Sequence, residues 1–516
     1  MKKFVYIFVL CLSVAAGIPL QAQKLDSLSM HQRLHAASSV MESNFSLGYE
    51  NPAMMHEYKA YTLNELRLYA DWENQSPAMN PQIGTGRIKG ALDITAFVRR
   101  EKSTAWGVAR YKNGLETGRF QNETSDYQLL YPYVMADTLG GDMYSEEYYF
   151  MGGYAYRKDF YTIGIQGSYR AVIEYRNVDP RPKNLVGDLD LRFGFNMRVN
   201  AQYGLGASIF YRKYKQTNEL DFYDELGKPN VFHTTGLGTY YNRFKGANMN
   251  TFYNGFAAGG SIDLMPIWAR TKGFTFAARY QYFGFEKVIV DLNELPLAEV
   301  AEHSAQAEIG YRSTPDVLEK EKWGVHLNVE YVNRMGTENI FGDAASNVYP
   351  KVGEQTKYEN QLFGLEFGGV YEHCFDNQIL LGLVPTFNYL GVYTEYAYPH
   401  RHLYANLMSG GVDLKTTFPA KKWLIRPSIG FRYKNSFDND LEVGTPRDRE
   451  EYWLVQPVHD QFNSMTAEQW DIHATFRADF SWNKKFGCYL FADYTYSFNA
   501  CPLLVHDLTA GLGFTF

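Results

Sequence analysis

The sequence predicts an all-β protein: a transmembrane antiparallel β-barrel of about 18 strands, in a range of roughly 14–18, with an N-terminal hatch segment. Three observations carry that expectation. Long segments alternate apolar and polar residues with period 2. The connections between them alternate short and long. The chain holds 41 Tyr, 35 Phe and 8 Trp, yet beyond its first residues no apolar run reaches the ~18 that a membrane-spanning helix needs.

The alternation is clearest between residues 470 and 482. Trp470, Ile472, Ala474, Phe476, Ala478, Phe480 and Trp482 oppose Asp471, His473, Thr475, Arg477, Asp479 and Ser481. Successive strand side chains point to opposite faces, so this segment has one apolar and one polar side. It exceeds the ~5–6 residues of an ordinary strand and suits a tilted membrane strand of roughly 9–11. Its terminal tryptophans fall where barrels carry interfacial aromatic girdles. A long strand of a soluble sandwich is the alternative, and the rest of the chain decides between them.

The pattern recurs in order along the chain. Leu66, Leu68, Ala70 and Trp72 oppose Glu65, Arg67, Tyr69 and Asp71. Ile88, Leu92, Ile94 and Val98 oppose Arg87, Lys89, Asp93 and Arg99. Ile163, Ile165, Tyr169 and Tyr175 oppose Gln166, Ser168, Arg170 and Glu174. Leu189, Leu191, Phe193 and Phe195 oppose Asp188, Asp190, Arg192 and Arg198, and Phe274, Phe276 and Tyr280 oppose Thr275, Arg279 and Gln281. Eighteen strands are counted, from one starting near Tyr58 through others near Gln361 and His402 to one starting near Leu503. Short turns are expected at 100–103, 158–159, 200–202, 376–377, 419–422 and 483–485. Long polar loops are expected at 113–144, 216–248, 336–360 and 435–466. Membrane barrels have that parity of connections, and a soluble sandwich has no reason for it.

The chain opens Met1-Lys2-Lys3 before an apolar run to Ile18 and a small residue at Ala22, the pattern of a cleaved export leader. Cys11 lies inside the apolar run after Leu10, so no lipid anchor is read. The expected organisation is a leader over 1–22, a periplasmic or hatch segment over 23–57, and the barrel over 58–516. Net charge is −7, or −9 once Lys2 and Lys3 leave, which gives no reason to expect a nucleic-acid partner. Outer-membrane lipid is the expected surrounding. Cys374, Cys488 and Cys501 have no regular spacing, so neither a disulfide framework nor a zinc site is expected of them.

The polar faces carry the functional reading. Arg67, Arg87, Arg170, Arg192, Arg198, Arg279, Arg432 and Arg477 stand in the inward phase. So do Asp93, Glu174, Asp188, Asp190, Glu330, Asp479 and His473. Isolated charges in a dry interior are very costly, so the lumen is expected to hold water or ion pairs. Both signs occur in similar number, which implies no strong selectivity by charge and suits a polar solute. No nucleophile, base and orienting group converge, so no enzyme is expected and no cofactor. His400-Arg401-His402 supplies two imidazoles, fewer than a zinc site needs, and reads as an outer-rim polar cluster. The acidic residues from Asp438 to Glu451 read as a solvated loop rather than a calcium site.

Two resemblances add to this. Asn51-Pro52-Ala53, shortly after the leader, resembles the hatch element of the long-chain fatty-acid transporter superfamily of barrels, which implies an N-terminal segment tucked into the lumen. The charged lining is a poor match to an apolar cargo, so lipid transport is not carried over. The closing strand, Gly513-Phe514-Thr515-Phe516, resembles the signal by which the barrel-assembly machinery recognises its clients. With Gln23 after the leader, these features resemble an uncharacterised outer-membrane barrel family of Bacteroides-like bacteria, which implies location rather than activity. The expected function is a passive or partner-assisted channel for a polar solute in a Gram-negative outer membrane. The alternative is a non-transporting scaffold whose long loops hold a surface lipoprotein or receptor.

Overall fold

The computed structural model describes residues 28–43, 47–224, 228–246, 249–267, 272–313, 320–345, 348–446, 449–500 and 503–516. The leader, Cys11, Gln23, Cys501, Arg447 and Asp448 lie outside the described residues.

Eighteen strands form one closed antiparallel sheet. They are β1 (Leu63–Ser76), β2 (Gly86–Arg99), β3 (Ser103–Arg119), β4 (Gly141–Lys158), β5 (Tyr161–Tyr175) and β6 (Arg181–Arg198). Next come β7 (Tyr203–Asp221), β8 (Thr251–Pro266), β9 (Gly273–Ile289), β10 (Leu295–Arg312), β11 (Glu321–Phe341) and β12 (Lys351–Cys374). The last are β13 (Leu380–Tyr396), β14 (Arg401–Ala420), β15 (Trp423–Glu442), β16 (Gln469–Ser481), β17 (Gly487–Asn499) and β18 (Leu504–Thr515). Each pairs with its sequence neighbour, and β1 closes on β18 with Leu66 opposite Phe514 and Trp72 opposite Leu508. Closure leaves no open edge, which a spanning sheet requires because lipid cannot satisfy backbone N–H and C=O groups.

The outward faces are apolar and uncovered, as lipid contact demands. Leu68, Ile88, Ile163, Phe193, Ile209, Phe387 and Leu490 all stand exposed. Aromatic rings mark both borders of this band. Near the short turns, Trp423 packs on Phe480 at 4.8 Å and Phe274 on Tyr311 at 5.0 Å between centroids. Towards the opposite end, Tyr433 meets Trp470 at 4.3 Å and Tyr144 stacks on Tyr175 at 5.3 Å. Ile209 in β7 faces outward with 66% of its surface exposed. Ile209→Lys should therefore cost about 2–4 kcal/mol if that position lies near the bilayer midplane. A lowered urea midpoint in lipid vesicles would report it.

Three sequence expectations are corrected. The first strand begins at Leu63 rather than near Tyr58, because Met55–Tyr58 is a helical turn. The expected long loops are shorter, since the strands run on through them. β3 reaches Arg119, β7 reaches Asp221, β12 starts at Lys351 rather than near Gln361, and β15 reaches Glu442. At ~3.3 Å per residue the longest of these strands far outruns a ~30 Å hydrocarbon layer. The protruding part meets water on its outer face and loses the apolar contrast by which a strand is read. Finally, the acidic stretch is not one loop: Asp438, Asp440 and Glu442 lie on β15, while Glu450 and Glu451 open a helix, α2 (Arg449–Thr466).

Candidate functional site

Different parts of the chain pack against the inner wall at the two ends of the barrel, with a layer of charge between them. At the short-turn end the inserted element comprises residues 28–43 and 47–62. Its helix α1 (Met30–Ala36) starts in a reciprocal cap, with Gln32 N–H donating to Ser29 Oγ and Ser29 N–H to Gln32 Oε1. Met30 and Leu34 bury against Leu424 of β15. Further on, Val40 sits over Gly382 of β13 and its N–H donates to Glu372 Oε2 at 2.9 Å.

On the opposite wall lies Asn51-Pro52-Ala53. Gly164 of β5 and Gly194 of β6 are cross-strand partners in the inward phase. Together they leave a bare patch on the inner face. A Cβ on Gly164 would lie 2.4 Å from the Pro52 carbonyl carbon, and one on Gly194 2.0 Å from Asn51 Oδ1. Asn51 holds the turn by accepting from Ala53 N–H at 3.0 Å, and its Nδ2 donates to Asp263 Oδ2 of β8 at 2.8 Å. Glu50 accepts from Arg192 of β6 at 2.8 Å and from Arg279 of β9 at 2.7 Å.

Two buried titratable neighbours finish the segment. His56 is held neutral, lowered to about 3 first by burial and then by Arg99 and Arg157. Burial raises Glu57 to about 7 against the opposing pull of Arg157, which lies 3.0 Å away. The signs nearly cancel. A raised acid favours docking below its undocked value of 4.5 and loses that support as pH rises through about 7. A lowered base favours docking above its undocked 6.5 and loses that support as pH falls towards about 3. Between about 4.5 and 6.5 the docked pair holds its proton on Glu57 and the undocked pair on His56. Docking is therefore expected to be nearly pH-independent in that window. His56→Gln should expose the Glu57 dependence, with docking strengthening on acidification, read by protection of segment 28–62 from protease.

Above this closure the wall is charged and paired. Asp93 takes Arg67 Nη2 at 2.8 Å and Arg110 Nε at 2.9 Å. Arg87 joins Asp71 and Asp507, each at 3.0 Å, and also Glu73. Arg212 bonds Asp188 at 2.8 Å, Arg192 bonds Asp190 at 2.9 Å, and Arg119 reaches Glu174 at 3.1 Å. Asp479 takes Arg426 at 2.6 Å and Arg477 at 2.8 Å, and Arg477 also reaches Glu65 at 2.5 Å. Register puts Glu330 opposite Gly364, Arg432 opposite Asp471, and His473 opposite Gly430, all on the inner face. Arg198 faces inward at the short-turn end of β6. Room remains between these groups: Arg67 keeps 35% of its side chain accessible and Glu366 46%, although both point inward.

At the far end, loops fold inward onto the wall. Strand pieces Met135–Ala136, Phe232–Gly236 and Thr239–Tyr240 form a small second sheet. Leu130, Tyr133 and Val134 are fully buried against inward Val172, Val186, Tyr214, Tyr253, Phe283, Phe285 and Val300. The wall also grips this loop by polar contacts. Lys287 Nζ donates to Val134 O at 3.0 Å, Arg334 Nη1 to Tyr131 O at 2.8 Å, and Tyr253 OH to Tyr133 O at 2.9 Å. Arg170 and Tyr214 both hold Asp126, at 3.0 and 2.9 Å. At this end the inward wall is aromatic as well as charged, and its rings pack on a loop. Sequence reading also missed Glu50, Asp126 and Asp263. Glycine at the paired inward positions 164 and 194 was a weak signal, because Gly364 and Gly430 also stand on the inner face.

The chain belongs to a family of unknown function, DUF6850, whose model matches residues 52–516. No curated protein matches it. Among solved structures it is similar to the copper transporter OprC, with a TM-score of 0.42 and 9% identity over 85% of this chain and 61% of that one. It thus spans about three fifths of that transporter's length. It is also similar to the alcaligin outer membrane receptor FauA from Bordetella pertussis, with a TM-score of 0.37 and 10% identity over 88% of this chain and 76% of that one. The siderophore receptor PiuA from Acinetobacter baumannii gives a TM-score of 0.39 and 8% identity over 89% of this chain and 82% of that one.

Proposed function

We propose that this DUF6850 member is an outer-membrane channel for a polar solute, passive or partner-assisted, shut in the present state by the hatch over 28–62 and by the loop around Tyr133. The carrying observation is the accessible layer of paired charge between the two closures. It offers a polar solute hydrogen-bonding groups of both signs and offers an apolar one nothing. The hatch contributes no strand to the closed sheet and rests on glycines, polar anchors and small apolar contacts, so it can leave without unfolding the wall. Export by the 1–22 leader and recognition of Gly513, Phe514 and Phe516 by the barrel-assembly machinery complete the reading. In support, Phe514 and Phe516 both stand exposed on the barrel's outside at the closing seam.

The test is solute flux into liposomes. Protein lacking residues 23–58 and carrying Asp126→Ala, Leu130→Ala and Tyr133→Ala, which remove the loop's grip on Arg170 and Tyr214 and its buried side chains, should pass small sugars and ions well above the wild-type rate. Flux no greater than wild type would sink the channel reading.

One observation favours the second reading, a scaffold for a surface lipoprotein or receptor: the loop closure is packed like a protein core. Co-purification of a stoichiometric partner from native membranes, with no flux in the opened variant, would support it.

A further inference from the structure

We propose that the rim of β13–β15 binds a first-row divalent cation of the zinc type through His400, His402 and Glu442, independently of any channel activity. Register sets these groups side by side: His402 is the cross-strand partner of Glu395 on β13 and of Glu442 on β15. The middle residue of His400-Arg401-His402 turns inward. Arg401 is buried, donates to Leu237 O at 2.8 Å and pairs with Glu451 of α2. That anchor leaves both imidazoles on the outer side, and their rings lie 5.7 Å apart between centroids.

The distances suit coordination. His402 Nδ1 and Glu442 Oε2 are 3.5 Å apart. Two ligands held at about 2.0–2.2 Å from a tetrahedral ion lie roughly 3.3–3.5 Å from each other. The other ring nitrogen, Nε2, is 2.7 Å from Asp440 Oδ2. A carboxylate on the far nitrogen fixes the ring and its tautomer and makes the near nitrogen a better ligand. One donor atom each from His400, His402 and Glu442 falls within 4.8 Å of the others, and small rotations of exposed side chains close that to bonding geometry. Glu395, 3.6 Å from His400 Nδ1, can orient the second imidazole in the same way. Two imidazoles with one carboxylate select zinc, nickel or copper over calcium or magnesium, which prefer all-oxygen shells. Three protein ligands leave a coordination position open to water or to a group from outside.

The test is a Zn²⁺ titration of the full chain in detergent, in competition with a chromophoric chelator. Wild type is expected to take up one equivalent. His400→Ala and His402→Ala should each weaken binding more than about tenfold, and Asp440→Asn, which only orients, should weaken it less than either. His303→Ala and His473→Ala, histidines elsewhere on the barrel, should leave it unchanged. Heat-modifiable gel mobility checks that each variant is folded. Unchanged Zn²⁺ affinity in the folded His400→Ala/His402→Ala protein, or competition by equal Ca²⁺, would overturn the proposal.

Discussion

Gly164→Leu with Gly194→Leu should eject the hatch while leaving the barrel closed. Both positions face the lumen and carry the Asn51-Pro52-Ala53 turn directly on their Cα atoms, so even a Cβ at either would overlap the turn. The backbone of Pro52 and Ala53 cannot yield by a side-chain rotation. The wall itself is unaffected, because β5 and β6 pair through backbone groups and their outward residues are untouched. Once the turn lifts, Asn51 loses Asp263, and Glu50 is pulled from Arg192 and Arg279. The expected result is rapid labelling of a cysteine at Ala53 by a small thiol reagent, against near-complete protection in the parent. Gel mobility of the unheated protein should stay that of a folded barrel. Equal protection in both proteins would show that the segment is held elsewhere.

Asp479→Ala should be the most damaging single change in the wall. Asp479 is 1% exposed and is shared by Arg426 and Arg477, which are direct cross-strand partners on β15 and β16. Removing the carboxylate leaves two guanidinium groups facing one another with Glu65 alone to offset them. Breaking a buried pair by deleting one partner costs about 3–5 kcal/mol, since the remaining charge stays desolvated. The urea midpoint in lipid should fall accordingly. Asp479→Asn, which keeps hydrogen-bond acceptance, should fall less. Asp479→Ala with Arg426→Met should recover part of the loss, and a double variant no better than the single would refute the charge argument.

The barrel was legible because lipid imposes a strict code on the spanning part of each strand. Outward Ile163, Ile165 and Tyr169 must be apolar, so Gln166, Ser168 and Arg170 declare the inner face by contrast. Where strands leave the lipid the code lapses. Residues 351–360 are polar on both faces, and β12 was read as starting ten residues late for that reason. Periodicity also says which way a side chain points and nothing about what it meets. Phe283 and Phe285 share the inward phase of Arg279 and Gln281, yet nothing in that phase shows that Tyr133 and Val134 come from a distant loop to cover them. Glu50 was invisible because its two arginine partners lie 142 and 229 residues away. His400 and His402 were read as a rim cluster, and the carboxylate that completes the triad came only with the register of β15.

The most direct test of the whole account is a single-cysteine scan from Trp470 to Ser481, each labelled with a fluorophore in vesicles of lipid brominated along its acyl chains. Quenching should alternate, strong at Ile472, Ala474, Phe476 and Ala478 and weak at His473, Thr475, Arg477 and Asp479. Uniform quenching, or strong quenching at the charged positions, would contradict a barrel with lipid outside and paired charge within.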